Sequence, residues 1–84
     1  MKVTDREGRP VRFENASVSG GLRWRYADEE KWSDCRRAGV LLHGRPVLVT
    51  EARMGGVVVQ PVTREQLSRE LLHGGVDLQS APRS

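Results

Sequence analysis

Three short runs, the apolar 40–42, the β-branched-rich 47–50 and the all-valine 57–59, are cut apart by glycine-centred breaks. The breaks are His43-Gly44 and Met54-Gly55-Gly56. Gly44 can adopt positive φ without a Cβ clash, so a tight reversal fits there. Runs of this length and spacing describe an antiparallel meander. Pro46 has no N–H and belongs at a strand start or a sheet edge, and Pro61 closes the third strand for the same reason.

The meander runs directly into a helix signal. Thr63-Arg64-Glu65-Gln66 is a capping box. The Thr63 hydroxyl can accept from the Gln66 N–H, and the Gln66 side chain can accept from the Thr63 N–H. Leu67 and Leu71 lie four apart on one face, with Leu72 beside them, and Gly74-Gly75 is the C-terminal stop. Leucines on one face need an apolar surface, and the valine-rich meander is the nearest one.

The front half alternates in a different way. Residues 2–4 form a short strand, and Asp5-Arg6-Glu7-Gly8 is a turn with Asp first and Gly last. The return strand puts Val11 and Phe13 on one face, and Arg12 and Glu14 on the other. Ser19-Gly20-Gly21 is the next turn. In Leu22-Arg23-Trp24-Arg25-Tyr26 the apolar residues share one face and the two arginines the other. Asp28 can cap a short helix running to Arg36, with Trp32 and Cys35 facing inward together. Acids at its start and arginines at its end suit the helix dipole.

The fold class expected is α+β: a small, mainly antiparallel sheet, a C-terminal amphipathic helix packed on it, and a short helix between the two strand groups. The 84 residues suit one domain, over 1–75, followed by a flexible tail at 76–84 without periodicity. A domain of this size buries only about 60% of its unfolded surface, so its core is small.

The net charge of +3 is mildly basic, with eleven acids among fourteen bases. The single cysteine, Cys35, cannot make an internal disulfide. No apolar stretch is long enough to span a bilayer, and Met1-Lys2 leads into a polar turn rather than an apolar signal segment. The expected setting is cytoplasmic, with no membrane partner.

Catalytic chemistry finds little support. Cys35 with His43 or His73 would need an orienting third group and an oxyanion site, and no local motif provides either. One cysteine and two separated histidines do not make a structural zinc site. The glycine pairs lack the spacing of a nucleotide fingerprint. No catalytic residue, metal or cofactor is assigned.

Binding is better supported. Arg23 and Arg25 could form a phosphate-binding ridge, Trp24 could stack on a base, and Arg36 and Arg37 could extend the patch. The plainer reading, which is preferred, places Trp24 in the core and leaves the arginines solvated or paired with Glu14. The C-terminal helix and the edge strand near Val58 suggest a protein interface, with Val58, Leu67 and Leu71 as its candidates. The expectation is a small non-enzymatic regulatory or interaction module, whose partner is another protein or a second copy of the chain. Nucleic-acid binding through the arginine face is the alternative.

Overall fold

The computed structural model describes residues 2–16 and 21–79. The turn expected at Ser19-Gly20 and the tail beyond residue 79 lie outside the described residues. The protein is mostly β, with eight strands and one short helix among the described residues. In chain order these are β1 (Val3–Thr4), β2 (Pro10–Asn15), β3 (Leu22–Tyr26), β4 (Ser33–Cys35), β5 (Arg37–Leu42), β6 (Arg45–Glu51), β7 (Val57–Pro61), α1 (Arg64–Glu70) and β8 (Val76–Asp77). The sheet order is β4-β3-β2-β1-β5-β6-β7, and β8 also pairs with β5. All pairings are antiparallel except β5 with β8.

Alternation along each strand collects the apolar residues on one face. Val3, Val11, Leu22, Ala38, Val40, Val47 and Val49 form a single buried cluster, and Phe13, Trp24, Val57 and Val59 pack around it. Burying each such valine or leucine contributes about 1.5–3 kcal/mol. The sheet must coil to bring these residues together. In a flat sheet, four strand spacings of about 4.8 Å would hold β3 and β6 roughly 19 Å apart. Yet the Gly21 N–H donates to Glu51 Oε2 at 2.7 Å. Asn15 Nδ2 likewise donates to the carbonyls of Ala52 and Gly56 at 3.3 and 3.2 Å. Three hydrogen bonds, made by two side chains, thus tie the ends of the coiled sheet together.

The two glycine turns of the meander form as expected. His43 and Gly44 both have positive φ, 53° and 78°, which is the backbone of a two-residue hairpin turn whose twist matches the strands. Pro46 lies near the start of β6, and its carbonyl accepts from the Val62 N–H.

The opposite, outer face of β5 and β6 receives α1. Both halves of the capping box are present. Leu67 is 3% exposed and sits over Gly39. A Cβ at Gly39 would come within 2.7 Å of Leu67 Cδ1, so the bare glycine is what admits the leucine. Arg37 on the same face donates from Nη1 to the Glu70 carboxylate at 2.8 Å and to the Glu70 carbonyl at 3.2 Å. Leu71 is only half-buried: it is the C-cap residue and lies against Gly75. The buried anchor of the helix is therefore Leu67, and Leu71 contributes less than its spacing suggested.

Two expectations are corrected. The short helix expected between Asp28 and Arg36 is a turn followed by β4, which pairs with β3 through Leu22 and Cys35. The Arg25 guanidinium accounts for this. Its Nη1 donates to the carbonyls of Tyr26, Ala27 and Glu29 and so holds the segment as a turn. Asp28 and Glu29 meet Arg9 instead of capping a helix.

The second correction concerns the tail. Val76 and Asp77 are not frayed but pair with Ala38 and Gly39. The two-residue β1 covers only the Leu41–Leu42 end of the β5 edge. The groups left open beside Gly39 are met by β8, with the Leu78 N–H donating to the Gly39 carbonyl at 2.8 Å. Arg6 N–H donates in turn to the Leu78 carbonyl at 2.9 Å, joining β8 to the β1–β2 turn. A two-residue pairing made through the backbone has no side-chain period to read.

Leu67→Ala is expected to lower stability by about 2–5 kcal/mol, since it empties a buried site. Leu71→Ala should cost clearly less. Gly39→Ala should cost about 1–3 kcal/mol by overpacking against Leu67. Urea denaturation of the three variants gives the order, and a Leu71→Ala loss equal to that of Leu67→Ala would contradict the anchor assignment.

Candidate functional site

β3 places the front-half candidates on two opposite faces. Trp24 lies on the core face opposite Phe13, with its ring 5.4 Å from that of Tyr26 at an interplanar angle of 84°. Its ring is thus packed into the coiled sheet, and its Nε1 is buried with no partner among the described residues. Arg23 and Arg25 lie on the outer face, in register with Glu14 and Arg12 of β2. Arg23 pairs with Glu14. Both guanidinium groups rest against the ring of Trp32, at 5.0 and 5.1 Å from its centroid. Cation–π contacts of this kind contribute about 0.5–1 kcal/mol at exposed sites.

Trp32 is the residue that sequence reasoning misplaced. It covers the outer face of β3 rather than facing inward from a helix. A lone aromatic in the polar stretch Glu29-Glu30-Lys31-Trp32, following two arginines on one strand face, was the available signal. Arg36 and Arg37 do not join this cluster. Arg37 is held by Glu70, and the Arg36 stem lies beside Gly74. Arg23 and Arg25 therefore come together, while Arg36 and Arg37 sit at separate places.

A cleft of about 1010 Å³ opens between β4, the end of β6 and the segment after α1. Leu22, Asp34, Cys35, Arg36, Glu51 and His73 are among its lining residues. It brings Cys35 and His73 to one cavity, while His43 remains at the tip of the β5–β6 turn. Burial, together with the negative charge of Asp34, pushes the Cys35 thiol up to about 11. The sulfur is thus protonated at neutral pH and is a poor nucleophile there. Among the described residues no group of three His, Cys, Asp or Glu side chains is placed to hold a metal ion. None of the described helices is long and apolar enough to cross a membrane.

The two ends of the sheet differ as surfaces. β4 has three residues and carries Asp34 exposed. β7 has five, Val-Val-Val-Gln-Pro, with no charge. The phase of its pairing shows which backbone groups remain open. Ala52 N–H donates to the Gly56 carbonyl and Val62 N–H to the Pro46 carbonyl, so even-numbered residues of this segment face β6. Val57, Val59 and Pro61 then turn their backbone groups outward. No described residue bonds to those groups. Pro61 stands where its missing N–H would have pointed to solvent, the position an edge strand tolerates.

Of the residues expected at a protein interface, Val58 is 46% exposed on the outer side of this edge. Leu67 is excluded from any surface by its burial, and Leu71 is half covered. The exposed apolar residues that sequence reasoning did not single out are Leu72 and Met54. No family model, curated protein or solved structure matches this chain.

Two consequences can be measured. Arg25→Gln should cost about 1–2 kcal/mol, because it releases three carbonyls and one support of Trp32. Arg23→Gln, which loses a solvated ion pair and the other support, should cost about 1 kcal/mol or less. Thermal melts compare the pair, and equal small losses would contradict the anchoring role of Arg25. For Cys35, the folded thiol titrates above its unfolded value, so thiolate formation favours the unfolded chain only as the pH rises toward about 11. Iodoacetamide at pH 8 should therefore alkylate the native protein on the order of tenfold or more slowly than the urea-unfolded chain. Equal rates would remove the assigned shift.

Proposed function

We propose that this chain is a small, non-enzymatic interaction module that engages a protein partner through the outer edge of β7, taking up an extended strand of that partner. The observation that carries the reading is the row of outward backbone groups at Val57, Val59 and Pro61 to which no described residue bonds, on a strand without charge. In strand addition the main chain supplies affinity and the alternating side chains supply selectivity. The half-exposed Val58 would meet the partner on the outer face. A regulatory role in the cytoplasm is consistent with an unpaired Cys35.

Nucleic-acid binding through Arg23, Arg25, Trp24, Arg36 and Arg37 is less well supported. Phosphate contacts need guanidinium groups free to displace counterions. Three of the four arginines already hold Glu14, Trp32, turn carbonyls or Glu70.

The test is capture from a nuclease-treated extract of the source cell, with the parent chain and with Val58→Lys as paired baits of equal melting temperature. A lysine on an edge strand discourages strand addition. The expected result is a protein retained by the parent and lost with the variant. Identical sets on both baits would sink the edge reading. Material captured from an untreated extract but absent after nuclease treatment would point to nucleic acid instead.

A further inference from the structure

The reading just given leaves the partner strand unidentified. Resting on that reading, we infer that the strand is β7 of a second copy of this chain, paired antiparallel about a twofold axis at Val58.

The outward groups of β7 are self-complementary in one register. With Val58 opposite Val58 of the second copy, Val57 faces the second copy's Val59, and Val59 faces its Val57. Both are residues whose N–H and C=O point outward, as the β6 pairing requires. Each facing pair exchanges two hydrogen bonds, so the twofold contact makes about four in all. Every outward N–H of β7 is then satisfied. Pro61 falls beyond the last bonded pair, so its missing N–H interrupts nothing and instead stops the ladder from growing. Shifting the axis to Val59 would set Val57 opposite Pro61 and leave the Val57 carbonyl without a donor.

The side chains favour the same register. Val58 is the most exposed valine of β7, Val57 and Val59 being partly buried. In the proposed pairing the two Val58 residues lie opposite each other in a non-hydrogen-bonded pair, where side chains approach most closely. β-Branched residues in such pairs stabilise the contact. The strand from Val57 to Pro61 bears no charge, so pairing with itself places no like charges opposite one another. It also lacks the lysine that commonly blunts an edge. The opposite edge of the sheet, β4, is short and carries Asp34, which suits a strand that stays alone.

The purified full chain tests this by sedimentation equilibrium joined to residue-resolved amide exchange. The expected result is a shift from monomer to dimer mass with concentration. The Val57 and Val59 amides should slow as dimer forms. The Val58 and Gln60 amides, which face β6, should not change. Val58→Lys should weaken the self-association by about tenfold or more. Monomer mass at all concentrations, with Val57 and Val59 amides exchanging fast, overturns the proposal. So does a dimer in which those two amides stay fast, because its contact lies elsewhere. A monomer whose capture of another protein is still abolished by Val58→Lys would sink the second copy alone and leave the edge as a hetero-partner site.

Discussion

The middle of β5, from Ala38 to Val40, is covered on both edges and both faces, and the other elements take their places from it. β6 occupies one edge along the whole strand, and β1 and β8 share the other end to end. Ala38 and Val40 point into the core with no exposure. The outer face is bare at Gly39, and Leu67 fills that position. A strand enclosed on every side cannot tolerate an unsatisfied backbone group, because the desolvation penalty has no water to relieve it. This constraint recruits residues as distant as Leu78, whose N–H satisfies the Gly39 carbonyl.

Coiling has a second effect, on the charged residues. The apolar face closes inward, so the arginine-bearing face of β2 and β3 becomes convex surface. There the guanidinium groups organise the chain. Arg25 gathers three turn carbonyls, and Arg23 and Arg25 seat Trp32. Arg9 lies over the Tyr26 ring at 3.8 Å while reaching Asp28 and Glu29. Asp5 does comparable work from the acidic side. Burial raises its pKa, but bonds from the amides of Arg9 and Glu7, the Tyr26 hydroxyl and the charge of Arg9 outweigh burial, and its carboxyl stays below the usual range. A mildly basic composition therefore serves the turns and the outer layer of this fold before any ligand is considered.

What remains available for an external partner is set by the same closure. The core consumes the valines of β5 and β6, and α1 is turned inward through Leu67. The sheet still has two ends, because coiling ties them by side chains rather than by a strand-to-strand ladder. A ladder closed between β2 and β7 would have left no edge to propose. The proposed self-pairing uses the one end that is uncharged, five residues long and carries an exposed valine.

The meander, its glycine turns, the alternation of β3 and the capping box of α1 were legible in the sequence, because each rests on interactions within a few residues. Gly44 needs only its own φ, and Thr63 and Gln66 need only each other. Tertiary contacts decided the rest. The segment after Tyr26 carries helix-start acids, but a guanidinium from β3 takes its carbonyls and Arg9 takes two of the acids, so it forms β4. Leu67 rather than Leu71 became the anchor because Leu67 lies over Gly39 of the buried strand β5, whereas Leu71 meets Gly75 in the segment just after its own helix. The segment after Gly75 has no periodicity and is ordered by a gap in another strand's ladder. Which face of the arginine strand would be free, and which edge would stay open, depended on how the sheet coils. Coiling arises from the summed twist of seven strands and from packing between residues far apart in the chain, which no local pattern encodes.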